Sequence, residues 1–302
     1  MTSVTEKTAP AITPPKDPRE SFTASKFPVY LACLAIAVIW LIPALGIFVN
    51  SFRDPQAIQS SGWWAVVGEL FSSGTWTLQN YVTVLDDGFA NAFANSLAVT
   101  IPAVAIPITV AAFAAYAFAW MDFPGRNLWF AAVVGLMVVP LQMALIPILR
   151  IYVDLDIAGS FPGLWLAHTG FGLPLAVYLL RNYMGSLPSS LIESAQIDGA
   201  SHFGIFTKLI LPLSMPVLAA FATLQFLWVW NDYLVALVFI GVVSPENAVL
   251  TVELANLQGQ FGEGALNLLP AAAMVTMILP LIVFFLLQRF FVRGLTAGSV
   301  KG

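Results

Sequence analysis

Residues 188–212 read PSSLIESAQIDGASHFGIFTKLILP, and the rest of the chain is organised around this stretch. Pro188 suits a first helical turn, and Ser190 followed by Glu193 has the spacing of a capping box, so a helix is expected to begin here. Asp198-Gly199 is a break signal, after which a second helical stretch can run from Ser201 into Leu211. Leu191, Ile192 and Ala195 take neighbouring positions on the first helix and give it an apolar stripe. The segment is a long connection outside the membrane. Its stripe therefore needs a partner, either the chain's own bundle or another protein.

On both sides of this stretch the chain is apolar. Of 302 residues, 59% are hydrophobic and 9% charged, whereas soluble domains carry roughly 25% charged residues. A water-soluble globule is excluded, and the bilayer is the main solvent. A helix crosses a hydrocarbon core about 30 Å thick with about 20 apolar residues. Six charge-poor stretches meet that requirement, at about 27–49, 94–120, 128–149, 157–180, 213–240 and 265–288. The predicted layout is a disordered tail over 1–26, rich in Pro and Lys, a six-helix membrane domain over 27–291, and a short tail over 292–302. The connection 181–212 interrupts the membrane domain. The first span, with 23 uncharged residues, exceeds the core of a secretory signal.

Basic residues orient the bundle through the positive-inside rule. Lys7, Lys16, Arg19, Lys26, Arg126, Arg181, Lys208, Arg289, Arg293 and Lys301 fall on one side, against Arg53 and Arg150 on the other. Ten against two predicts that both termini and the 181–212 connection are cytoplasmic.

The chemistry that is missing narrows the function. Cys33 is the only cysteine, which excludes a disulfide within the chain, and no His and Cys spacing suits zinc. No catalytic constellation and no phosphate-binding Gly-rich loop is present, so no catalytic residue, metal or cofactor is expected, and any ATP is bound by another subunit. Asp232 is the only acidic residue in any span, too few for an ion-coupled carrier, and reads as a side chain reaching interfacial water or as a cap at the end of the bundle. His168 in the fourth span reads as a hydrogen-bonded structural imidazole. Prolines 43, 102, 107, 140, 147, 174, 216, 270 and 280 each remove a backbone donor and predict an irregular bundle.

Glu193-Ser194-Ala195, then Gly199 four positions after Ala195, then Leu209-Ile210-Leu211-Pro212, resembles the EAA motif of ABC importer permeases, with Ser194 in place of Ala and Leu209 in place of Ile. The likeness extends over most of the chain, toward the carbohydrate-uptake, maltose-type branch. Phe123-Pro124-Gly125-Arg126 is similar to its turn between spans two and three, and Trp230-Asn231-Asp232-Tyr233 to a stretch in its fifth span. The ending Gly294-Leu295-Thr296-Ala297-Gly298-Ser299-Val300-Lys301-Gly302 resembles that branch's terminus.

The resemblance implies an all-α integral membrane protein with six transmembrane helices and the type I ABC importer permease fold, in the cytoplasmic (inner) membrane of a prokaryote. It implies as partners a second permease subunit, two ATP-binding subunits, an extracytoplasmic solute-binding protein, a sugar and membrane lipid, with no nucleic acid. Carried over by position, Glu193 is the polar contact on the ATPase, Ala195 the close-packed surface and Gly199 the turn. Ser194, Asp198, Leu209, Leu211 and Pro212 complete the coupling element, and residues 296–302 offer a second contact.

On the outer side, residues 50–93 carry Trp63, Trp64 and Trp76, suited to the membrane interface. The loop 241–264 contains Gln258-Gly259-Gln260-Phe261-Gly262-Glu263, read as a flexible stretch resembling the family's loop that enters the binding protein's sugar cleft. The function expected is that of a permease subunit for a di- or oligosaccharide. The alternatives are the same machine for glycerol phosphodiesters or another polar solute, or a membrane-bound enzyme or scaffold.

Overall fold

The computed structural model describes residues 27–69, 76–261 and 267–296; the tail expected to be disordered, the C-terminal residues 297–302, and Gly262 and Glu263 lie outside these. The described residues are helical apart from turns and one isolated antiparallel bridge between Arg53 and Trp76. Residues up to 46 form one unit and those from Ile47 on a second. The first unit contributes most of helix α1 (Phe27–Ser51), whose side chains are exposed almost throughout. That exposure suits a helix whose solvent is lipid.

The second unit begins with a cap of short pieces. Helix α2 (Pro55–Ser60) starts at Asp54, whose carboxylate accepts from the Gln56 N–H, with Pro55 at a position that needs no donor. Arg53, fully buried, ties this cap together. Its guanidinium donates to the Ala57 and Ser61 carbonyls at 2.8 and 3.0 Å, and to Asn50 Oδ1 and Ser61 Oγ at 3.1 and 2.6 Å. Helix α3 (Gln79–Val84) closes it, with Asn80 Nδ2 donating to the Arg53 carbonyl at 2.8 Å.

The membrane helices that follow are α4 (Ala90–Trp120), α5 (Arg126–Gly135) with α6 (Leu141–Asp154), α7 (Phe161–Gly185), α10 (Met215–Trp230) and α12 (Leu269–Thr296). Four described helices, counting α1, are long and apolar enough to cross a bilayer alone, and two bent pairs bring the number to as many as six. The sequence predicts a third span over about 128–149 with Pro140 and Pro147 inside it. Instead α5 and α6 meet at 103°, with Pro140 ahead of α6 in an extended conformation. Proline favours this break, because its ring fixes φ and disfavours helix at the residue before it, and Val139 is here extended. The fifth span also departs from its predicted 213–240. Residues 202–213 meet α10 at 70° around Ser214, and α10 ends at Trp230.

Inside the continuous helices, the prolines create a specific need, because each leaves the carbonyl four residues earlier without its usual donor. Three of these carbonyls are taken by side chains from neighbouring helices. Trp165 Nε1 of α7 donates to Ala98 O, released by Pro102, at 3.0 Å. Gln225 Nε2 of α10 donates to Ala103 O, released by Pro107, at 3.2 Å. Trp230 Nε1 of α10 donates to Thr276 O, released by Pro280, at 2.9 Å. The helix-breaking residues thus become attachment points between helices, which a bilayer interior requires because water is not available to satisfy the backbone. Gly172 of α7 permits one of these links, since a Cβ there would stand 2.6 Å from the Gln225 amide oxygen.

Candidate functional site

Between α7 and α10 the chain leaves the bundle as α8 (Ser189–Ile197) and α9 (His202–Ile205), the latter continuing as a wider helical turn over Phe206–Ile210. The expected capping box at Ser190 does not form. Pro188 itself occupies the N-cap with ψ 128°, no side chain caps the end, and Ser190 already lies within the helix. The exit from α8 follows the sequence closely. Gly199 adopts φ +79°, Ala200 N–H donates to Ala195 O at 2.9 Å, and Gly199 N–H donates to Gln196 O at 3.0 Å. This 6→1 and 5→2 pair is a Schellman ending, which needs a residue at ease in the left-handed region. Ser201 then caps α9 by accepting from the Gly204 N–H at 3.2 Å.

This geometry divides the segment into two faces. Ile192, Ile205, Phe206 and Ile210 are buried in one core cluster with Tyr116 of α4, Leu180 and Met184 of α7 and Phe221 of α10. Ala195, Leu209 and Leu211 are partly buried against the same cluster. The stripe read from the sequence therefore packs largely on the chain's own bundle, through Ile192 and Ala195, while Leu191 stays exposed. The Tyr116 hydroxyl and His202 Nδ1, 3.1 Å apart, fasten the start of α9 to α4.

The other face carries Glu193, Ser194, Asp198, Gly199 and Pro212, all exposed. Glu193 makes no hydrogen bond or ion pair with a described residue. The segment also exposes two large apolar side chains that sequence reasoning missed, Ile197 at 86% and Phe203 at 68% exposure. The spacing holds a signal for the first of them, because Ile197 lies one turn after Glu193 and five positions from the buried Ile192, on the opposite side of a 3.6-residue helix.

The outer candidate is built differently. Gln258, Gly259, Gln260 and Phe261 are not a flexible loop. They form the last turn of helix α11 (Leu250–Phe261), which is anchored by Leu250 and Leu257 in a cluster with Trp230, Ala271 and Ala272. The apolar positions 250, 254 and 257 supply the helical stripe that explains the difference. Gln258 lines a cavity of about 430 Å³ with Tyr233, Thr251 and Pro270. The residues predicted to couple and this helix belong to separate clusters, so the structure does not bring the two candidate sites together.

Asp232 behaves as a cap. Its carboxylate accepts from the N–H groups of Val235 and Ala236 at 3.2 and 2.8 Å, and its carbonyl accepts from Thr251 Oγ1 at 2.5 Å. His168, buried, stands 3.9 Å from that carboxylate, beyond hydrogen-bonding distance. Among the described residues no cluster of His, Cys, Asp or Glu suits a metal.

A bundle of kinked apolar helices, with a helix–glycine–helix element exposed between two of them, defines a multi-pass membrane protein of the type I ABC importer permease fold. The chain belongs to the family of binding-protein-dependent transport system inner membrane components, which matches residues 93–297. It is 56% identical to the osmoprotective compounds uptake permease protein GgtD of Synechocystis sp. over 91% of this chain and 92% of that protein. It is 58% identical to the alpha-glucoside transport system permease protein AglG of Rhizobium meliloti, over 75% of this chain and 60% of that one. Among solved structures, a bacterial ABC transporter involved in import of the acidic polysaccharide alginate superposes with a TM-score of 0.72 at 22% identity, covering 89% of this chain and 99% of that chain. That likeness supports the fold.

Proposed function

We propose that this chain is one transmembrane half of an ATP-driven sugar importer, working with a second permease, two ATP-binding subunits and an extracytoplasmic solute-binding protein. The observation that carries the reading is the two-faced element 188–212. Its inner face packs on α4, α7 and α10, while Glu193, Ile197 and Phe203 are exposed and the Glu193 carboxylate has no partner among the described residues. An apolar side chain held out beside a carboxylate suits a protein cleft, and docking there passes a push on α8 directly into three membrane helices. Glu193, Ser194, Ala195, Asp198 and Gly199 form the coupling site, with Leu209, Leu211 and Pro212 joining it to the bundle. Both termini and this site lie in the cytoplasm, as the basic residues indicate. Gln258 and Gly259, at the end of α11, face the binding protein.

The solute is a neutral di- or oligosaccharide, in keeping with the alpha-glucoside relative. A glycerol phosphodiester is the weaker reading, because neither the outer cavity nor the larger one beside α5 and α6 is lined by Lys or Arg. The test is purification of the tagged chain from its native membrane. ATP-binding and second permease subunits should accompany it, and the reconstituted complex should take up α-linked disaccharides only with ATP and binding protein. Uptake driven by an ion gradient without ATP would overturn the reading.

A further inference from the structure

Six prolines lie inside continuous described helices, and three of the carbonyls they release are taken by Trp165, Gln225 and Trp230. The other three belong to Ile39, Met143 and Gly170, released by Pro43, Pro147 and Pro174. No described side chain donates to them. Gly170 differs from the other two because it lines a cavity of about 710 Å³ bounded by the break at Pro140 and by α7 and α10. With no side chain of its own, Gly170 is exposed, and beyond the backbone of its own helix and its chain neighbours no atom stands within 4 Å of the place a Cβ would occupy.

The cavity also receives Phe171, Tyr152 and Trp228. Trp228 is 47% exposed, and its indole N–H donates to no described residue. Gly170 is the tenth residue of the 25-residue α7, about 14 Å along a helix that crosses a core about 30 Å thick. The site is therefore near the middle of the membrane. Its volume is within the range of small-molecule sites.

We infer that this cavity is a transit site for a neutral polyhydroxy solute: Gly170 O accepts a solute hydroxyl, the Trp228 N–H donates to another, and the aromatic rings cover an apolar sugar face. The inference rests on the sugar reading of the function. The lining contains no charge to hold an anion, and Tyr152 adds a hydroxyl to it. Two polar contacts among apolar walls suit a passage, where binding must be strong enough to admit the solute and weak enough to release it.

The test uses the assembled transporter with its binding protein, and radiolabelled trehalose and maltose as probes. Trp228→Phe keeps an aromatic ring and removes the donor. Pro174→Ala returns an N–H to α7 that occupies Gly170 O. Each variant should lower uptake at least fivefold while binding-protein-stimulated ATP hydrolysis stays within twofold of wild type. In a second measurement, Gly170→Cys in a Cys33→Ser background should react with a maleimide, and sugar under turnover should slow that reaction at least threefold. If wild type takes up neither sugar, the sugar reading fails and this inference with it. Normal sugar uptake by wild type and by both variants overturns the transit site alone. So does a parallel loss of ATP hydrolysis, maleimide labelling at position 170 that is indifferent to sugar, or a ready crosslink from position 170 to the second permease.

Discussion

The indole of Trp230 donates to the carbonyl of Thr276 at 2.9 Å, and Thr276 is the residue that Pro280, four positions on, cannot serve. Trp230 is buried, with its ring stacked on Phe226 and edge-on to Phe93, so one side chain joins α4, α10 and α12. Trp230→Phe should retain much of the ring packing and leave the carbonyl unpaired, at a cost of about 1 kcal/mol. Pro280→Ala, which restores a donor within α12, should remove most of that cost when combined with it. A double-mutant cycle on thermal unfolding of the purified complex reads the coupling, and purely additive losses would show that the carbonyl is not the link.

How far the sequence reveals these features follows from the range of the interactions. Composition and charge-free length identify the helices, and the Ala195–Gly199 spacing identifies the Schellman turn, because both depend on residues close in the chain. The break at Pro140 and the helical state of Gln258–Phe261 are less legible. The first depends on which of many prolines bends a helix and which is bridged by a neighbour such as Trp165. The second depends on Leu250 and Leu257 finding Trp230 and Ala271 in two other helices. Likewise Glu193 is recognisable from its motif, but the exposure of Ile197 and Phe203 is decided only when Ile192 and Phe206 are buried against α4 and α7.

Arg53 should be the most sensitive residue of the cap that follows α1. It is fully buried, its guanidinium serves two carbonyls and two side-chain oxygens, and the nearby Asp54 carboxylate is occupied by the Gln56 N–H. Lysine cannot reach four acceptors with one ammonium, so Arg53→Lys should cost about 3 kcal/mol and lower the unfolding temperature of the complex. Retention of the ATP-binding subunits should be unchanged, since α8 is untouched. An unaltered melting curve would mean that the cap does not depend on this guanidinium.

Topology has a direct check. Cys33 is the only native cysteine and is exposed, so a Cys33→Ser background is needed. Ser60→Cys and Gln196→Cys both replace exposed residues. An impermeant maleimide should label position 60 in intact cells and position 196 only after the membrane is opened. The reverse pattern would place the termini and the coupling element outside, contrary to the ten-to-two distribution of basic residues.

The coupling element separates a contact from a turn, and two substitutions test them independently. Glu193 is exposed and bonded to no described residue, so Glu193→Lys should change the stability of the isolated chain by less than about 0.5 kcal/mol. It reverses a charge on the face proposed to dock, however, and breaking a charged pair across an interface costs about 2 to 5 kcal/mol. Gly199 has φ +79°, and a Cβ there would meet nothing within 4 Å, so its requirement is conformational. Gly199→Val should cost about 1 to 2 kcal/mol through backbone strain, and Gly199→Asn, which tolerates the left-handed region, should cost less. Both Glu193→Lys and Gly199→Val should insert normally yet lose solute uptake and binding-protein-stimulated ATP hydrolysis, with weaker retention of the ATP-binding subunits. Gly199→Asn should recover much of the activity. If uptake stays near wild type in Glu193→Lys and Gly199→Val alike, residues 188–212 do not transmit ATPase closure, and the coupling must run through another part of the chain.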